Sequence, residues 1–132
     1  MKQTTILITT SLLTLVLLVS HLADDIVRGF EKGQLFDLTA IPICVVWLYA
    51  TLVLAERKSG YIIVFVLSLF GLLVPYVHMS GRGVGLEGRI AHTDGAFFFV
   101  WTLLAMGTTG VFTAVLSARA LWLAIRDRQT RM

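Results

Sequence analysis

Four stretches of the chain contain no Asp, Glu, Lys or Arg: Thr4 to Ala23, Leu38 to Ala55, Ser59 to Gly81 and Gly95 to Ala118. A helix crossing the ~30 Å hydrocarbon layer of a membrane needs about 20 predominantly apolar residues, and each stretch supplies a run of that order. Lipid cannot hydrogen-bond backbone N–H and C=O groups, so such segments must satisfy them internally as helices, which excludes an open sheet. The expected fold is therefore all-α: a polytopic integral membrane protein, a four-transmembrane-helix bundle. Its spans fall at about residues 4–23, 38–55, 59–81 and 95–118, and the last helix continues into the cytoplasm to about residue 125.

Composition agrees. The 132 residues are 57% hydrophobic and 14% charged, whereas soluble domains are about 45–50% apolar and about 25% charged. A chain of this length is expected to form one domain, and its interior is too small to hide that much apolar surface from water. A soluble enzyme and a nucleic-acid binder are excluded on this ground. Cys44 is the single cysteine, which also excludes a disulfide scaffold and a C-x-x-C membrane thiol oxidoreductase.

The charges between the stretches indicate orientation. With four spans both termini lie on one side, together with Lys2, Arg57, Lys58, Arg119, Arg126, Arg128 and Arg131. The opposite side holds Arg28, Lys32, Arg82 and Arg89 beside Asp24, Asp25, Glu31, Asp37, Glu87 and Asp94. The positive-inside rule then places the termini and the Glu56-Arg57-Lys58 turn in the cytoplasm of a cell with a plasma (bacterial inner) membrane. The pI near 9.4 follows from this distribution along the membrane and implies no nucleic acid. Tyr61 and Trp122 at inner ends, with Tyr76, Phe97 and Trp101 at outer ends, suit interfacial aromatic belts. Lys2 before an apolar run also resembles a signal peptide, but cleavage after Ala23 would set His21 where a small residue is required; an uncleaved first span is expected.

Packing signals are small residues. Gly107, Gly110, Ala114 and Ser117 recur at three-four spacing on one stripe of the fourth span, and Ser68, Gly71 and Pro75 do the same on the third. Close packing of small residues drives helix association in lipid, so spans three and four are expected to pair through these stripes. Pro75 is expected to bend the third span. Pro42 falls in the first turn of the second, where it is tolerated behind Asp37 or Thr39 as cap.

One polar stripe stands out. Thr4, Leu7, Ser11, Thr14, Leu18, His21 and Asp25 share a face of the first span, because each is three or four residues from the last. His21 and Asp25 lie one turn apart near the outer boundary. His78 ends the third span, and His92 and Asp94 precede the fourth, so all three histidines gather at one membrane face. The plainer expectation is an ion pair between His21 and Asp25, Asp94 as the cap of span four, and His78 and His92 as interfacial residues. The sharper one is a metal site: His21, Asp25, His78 and His92 are the imidazole and carboxylate donors that divalent Zn, Cu or Fe prefers, although their spacing matches no local metal motif. A bis-histidine haem on His78 and His92 is a weaker form of it, and a carboxylate-paired histidine that titrates without metal is another.

The loop from Ser80 to Gly95 contains Gly83, Gly85 and Gly88 in a G-x-G-x-x-G pattern, but a dinucleotide fingerprint requires a preceding strand, so these glycines serve the turn. Ile26, Val27, Phe30, Leu35 and Phe36, in the loop from Asp24 to Asp37, read as an interfacial anchor. Cys44 reads as a small buried apolar residue. No carboxylate lies inside a span, which disfavours a proton-coupled exchanger.

These absences lead to the expectation of a small membrane protein without its own catalysis. Its partners are the lipid bilayer and either other membrane subunits or further copies of itself, with the role of an accessory or structural subunit or assembly factor. The first alternative is a metal-binding (Zn, Cu or Fe) membrane protein or membrane enzyme with the His/Asp site at its outer face. The second is a carrier of lipid or of a small ligand.

Overall fold

The computed structural model describes residues 2–30, 40–79, 90 and 93–129. Within them the chain forms four helices and no strand: α1 (Lys2–Val27), α2 (Ala40–Leu52), α3 (Lys58–Met79) and α4 (Ala96–Gln129). Three of them, over Gln3–Val27, Lys58–Met79 and Ala96–Asp127, are long and apolar enough to cross a membrane. The fourth, α2, is apolar but short among the described residues. Its 13 helical residues rise about 20 Å, well short of the ~30 Å apolar layer. It stops because Val53 and Leu54 both turn their amides onto the Tyr49 carbonyl, at 2.8 and 3.3 Å. The turn back into α3 brings Gly60 against the Leu54 carbonyl so closely that a Cβ there would collide with backbone.

α4 is the common wall of the bundle, with α1 and α3 both packed along it and α2 leaning on α1 and α3. Gly107 meets the Pro75 ring and Gly110 meets Leu72, at 3.5 and 3.2 Å from where a Cβ would stand. Small residues on α4 thus admit α3, as the stripe predicts. Gly71 departs from that expectation: its neighbour is the Trp47 ring of α2, at 3.3 Å. The helix runs on past Pro75 to Met79.

The stripe on α1 faces inward, with Leu7, Ser11, Thr14, His21 and Asp25 all buried. Apolar clusters lie at the two ends of the bundle: Ile90, Phe99, Leu103 and Met106 at one, and Leu7, Ala50 and Val64 at the other. Between them sits a layer of buried hydroxyls. Ser11 bonds Thr51 at 2.7 Å and accepts the Trp47 indole N–H at 2.9 Å, while Thr14 lies 3.2 Å from Thr113. Outward positions are predominantly apolar, including Val16, Phe70, Phe112 and Val115, as a lipid-facing surface requires.

α1 ends in a Schellman motif. Gly29 adopts a left-handed φ of 74°, its amide bonds the Ile26 carbonyl at 3.0 Å, and the Phe30 amide reaches back to Asp25 at 2.8 Å. Glycine takes this conformation without the Cβ penalty. Asp24, read as the start of a loop from sequence, therefore lies with Asp25 in the last turns of the helix. At the start of α4 the N-cap is Gly95, whose carbonyl receives the Phe99 amide at 3.1 Å, so Asp94 stands one residue outside the cap position it was expected to fill. Cys44 is half-exposed on a groove between α1 and α2 and is not a core residue.

Candidate metal centre

Two helices supply the donors. His21 and Asp25 are one turn apart on α1, and the Schellman turn that bonds the Asp25 carbonyl holds the second of them in place. His78 comes from α3, one residue before its end. α4 provides the floor: the Phe99 ring packs on both imidazoles, with centroids 4.7 Å from His21 and 5.5 Å from His78, and the two imidazoles meet edge to face at 4.9 Å.

The carboxylate joins them. Asp25 Oδ2 is 3.6 Å from His21 Nε2 and 3.7 Å from His78 Nε2, and one donor atom from each of the three residues lies within 4.8 Å of the others. Donors about 2.1 Å from a tetrahedral ion stand roughly 3.4 Å from each other. The two carboxylate–imidazole separations of 3.6 and 3.7 Å come close to this, while the widest donor pair, within 4.8 Å, must draw in further to close on a cation. The side chains are 1%, 8% and 12% exposed for His21, Asp25 and His78. The separation of 3.6 Å exceeds a hydrogen bond, and Nε2 of His21 makes none among the described residues.

Electrostatics favour a cation here. Asp24 and Asp25 lie in the last turns of α1, where the helix dipole already presents negative charge. Asp24 is matched by Arg28, which donates from Nε at 2.7 Å. The same guanidinium reaches the Thr93 hydroxyl at 3.1 Å and the Asp94 carbonyl at 3.5 Å and lies over Phe99 at 5.8 Å. Arg28 thus ties the end of α1 to the start of α4, while the Asp25 carboxylate is turned toward the two imidazoles.

Compared with protein-family models, with curated proteins and with solved structures, the chain matches none.

Of the four residues expected to ligate, His21, Asp25 and His78 come together, and His92 lies outside the described residues, as do the Gly83, Gly85 and Gly88 pattern and most of the segments that follow α1 and α3. The haem reading required His92 and stands outside them too. Three residues of the site were not marked in the sequence as parts of it. Phe99 reads as one apolar residue among many, Arg28 as a loop charge, and Thr102, whose Oγ1 is 3.2 Å from His21 Nδ1, as an ordinary threonine of a membrane helix. Two imidazoles and one carboxylate suit a borderline divalent ion, and three protein donors leave a coordination position for water or another small ligand.

Proposed function

We propose that the protein is an integral membrane protein that binds a divalent first-row transition ion, of the Zn, Cu or Fe class, through His21, Asp25 and His78 at one membrane boundary. The observation that carries this is the convergence of three buried donors from two helices within 4.8 Å, beside a matched Asp24–Arg28 pair that leaves Asp25 directed at the imidazoles.

The proposed orientation keeps both termini cytoplasmic and the site on the far side. It is supported by the cationic turn at Arg57 and Lys58 and by the grouping of Gln3, Tyr61 and Asp127 around one cavity of ≈280 Å³ at the end of the bundle remote from His21. α2, flanked by apolar residues as far as Ala55, would then be a short span in a bundle whose neighbours carry it across.

A second reading, an accessory subunit or lipid-binding element, draws on the groove between α1 and α2. Its ≈410 Å³ are lined by Leu15, Val19, Leu22, Ile41, Cys44, Leu48 and similar side chains, a surface suited to an acyl chain or an apolar helix.

Metal analysis of detergent-purified protein, loaded with each ion in turn and desalted, tests the first reading. It predicts one ion per chain for the intact protein and none retained by His21→Ala. Substoichiometric metal that His21→Ala leaves unchanged overturns it.

A further inference from the structure

Thr102 sits on α4, one turn beyond Phe98, and is 2% exposed. Its hydroxyl oxygen lies 3.0 Å from the Phe98 carbonyl and 3.0 Å from the Phe99 carbonyl. It lies 3.2 Å from His21 Nδ1. A hydroxyl has one hydrogen and two lone pairs. Threonines in membrane helices give that hydrogen to the carbonyl one turn back, and both carbonyls here are placed to receive it. The oxygen then has only lone pairs left for His21, so the hydrogen between the two side chains belongs to Nδ1.

We infer that Thr102 is a positioning residue that fixes His21 as the Nδ1–H tautomer and so presents the bare lone pair of Nε2 to Asp25 and His78. The inference rests on the metal-binding reading for its purpose but on separate atoms for its evidence. The two tautomers give the site opposite characters. With the proton on Nδ1, Nε2 is a ligand facing a carboxylate, an arrangement that calls for a cation between them. With the proton on Nε2, the same nitrogen would donate to Asp25 and close the site as a neutral hydrogen-bonded pair. The geometry favours the first: the Thr102 contact is within hydrogen-bond distance, whereas Nε2 stands 3.6 Å from Asp25 Oδ2, too far for the bond the second requires. Partners of this kind on the far nitrogen of a ligating histidine orient its ring and raise its basicity, and their loss commonly weakens metal affinity about 10- to 100-fold.

The test uses the full chain in lipid, labelled with ¹⁵N at histidine and freed of metal, with the His21 signal identified by its absence in His21→Gln. Nitrogen shifts distinguish the two tautomers of the neutral ring. The expected result is Nδ1–H in the native protein, loss of that preference in Thr102→Val with zinc affinity about 10- to 100-fold lower, and recovery of both in Thr102→Ser, which keeps the hydroxyl. A native His21 protonated on Nε2 overturns the inference, as does Thr102→Val with unchanged tautomer and unchanged zinc affinity. Native protein that shows Nδ1–H and takes up no zinc supports the tautomer assignment and overturns the metal-binding reading, so the two fail separately.

Discussion

Asp25 of α1 and His78 of α3 meet at 3.7 Å across the mouth of the bundle, brought together chiefly by the packing of both helices on α4. Either side chain alone is an ordinary residue of a helix end. Together with His21 they make a three-donor set, so removal of His78 should leave two donors and a much weaker site. In titrations with zinc, His78→Ala should lose tight one-to-one binding while keeping the helical content of the native protein.

Bound metal should stabilise the fold. A ligand that binds only the folded state at about 100 times its Kd adds about 2.7 kcal/mol, which thermal unfolding in detergent would register as a raised Tm on adding zinc and its reversal by chelator. Coordination needs neutral imidazoles and an ionised carboxylate, so protons compete with the ion and the gain shrinks as the pH is lowered. Among the described residues the groups facing the centre include His21, His78, Asp25 and, through Asp24, Arg28. His78→Ala should show no zinc-dependent rise at any pH.

Two glycines should respond differently to the same methyl group. At Gly60 a Cβ would run into the Leu54 carbonyl and backbone, whereas at Gly107 it would make ordinary contact with the Pro75 ring at 3.5 Å. Gly60→Ala should therefore cost about 1–3 kcal/mol, the range for forced overpacking. Gly107→Ala should be nearly neutral. Denaturant unfolding of the two variants side by side checks the contrast, and equal costs would refute the tight α2–α3 turn.

Arg28 links the two ends of the site. Gly95 has a φ of 83°, and a Cβ there would stand 2.9 Å from the Arg28 guanidinium. Gly95→Ala should combine backbone strain with displacement of Arg28, at a cost of about 1 kcal/mol or more. Arg28→Ala should free the start of α4 from α1 and raise hydrogen exchange at Thr93 and Ala96 while leaving the hydroxyl layer around Ser11 protected.

The buried hydroxyl layer carries a further expectation. The Trp47 indole donates to Ser11 at 2.9 Å and anchors the short α2 to α1. Interhelical hydrogen bonds in membranes contribute about 0.6 kcal/mol on average, so Trp47→Phe should lower stability modestly through this bond and Ser11→Ala by more, because it also removes the bond to Thr51. Their double variant should cost less than the sum, because each single change already breaks the same bond.

Much of this arrangement is legible in the residues. Charge-free stretches mark the long helices because lipid tolerates neither charge nor unsatisfied backbone, and the three-four spacing of Ser11, Thr14, Leu18, His21 and Asp25 marks the inward face of α1 because polar side chains on a membrane helix turn toward protein. His21 and Asp25 follow from spacing alone. His78 joins them only through the topology, since nothing local relates it to α1. The length of α2 is hidden because its charge-free stretch continues to Ala55, while the helix stops at Leu52 where Val53 and Leu54 wrap onto Tyr49. Gly71 reads as part of the α4 contact until the bulk of Trp47 claims it. Thr102, Phe99 and Arg28 acquire roles from the register between helices, which a single helical periodicity does not encode.

X-ray absorption on zinc-loaded protein reports the ligand shell itself. Ligation by His21, Asp25 and His78 requires a first shell of nitrogen and oxygen donors at about 2.0–2.2 Å, with outer-shell scattering from two imidazoles that drops to one in His78→Ala. A shell without imidazole, or one unchanged by that substitution, would contradict it.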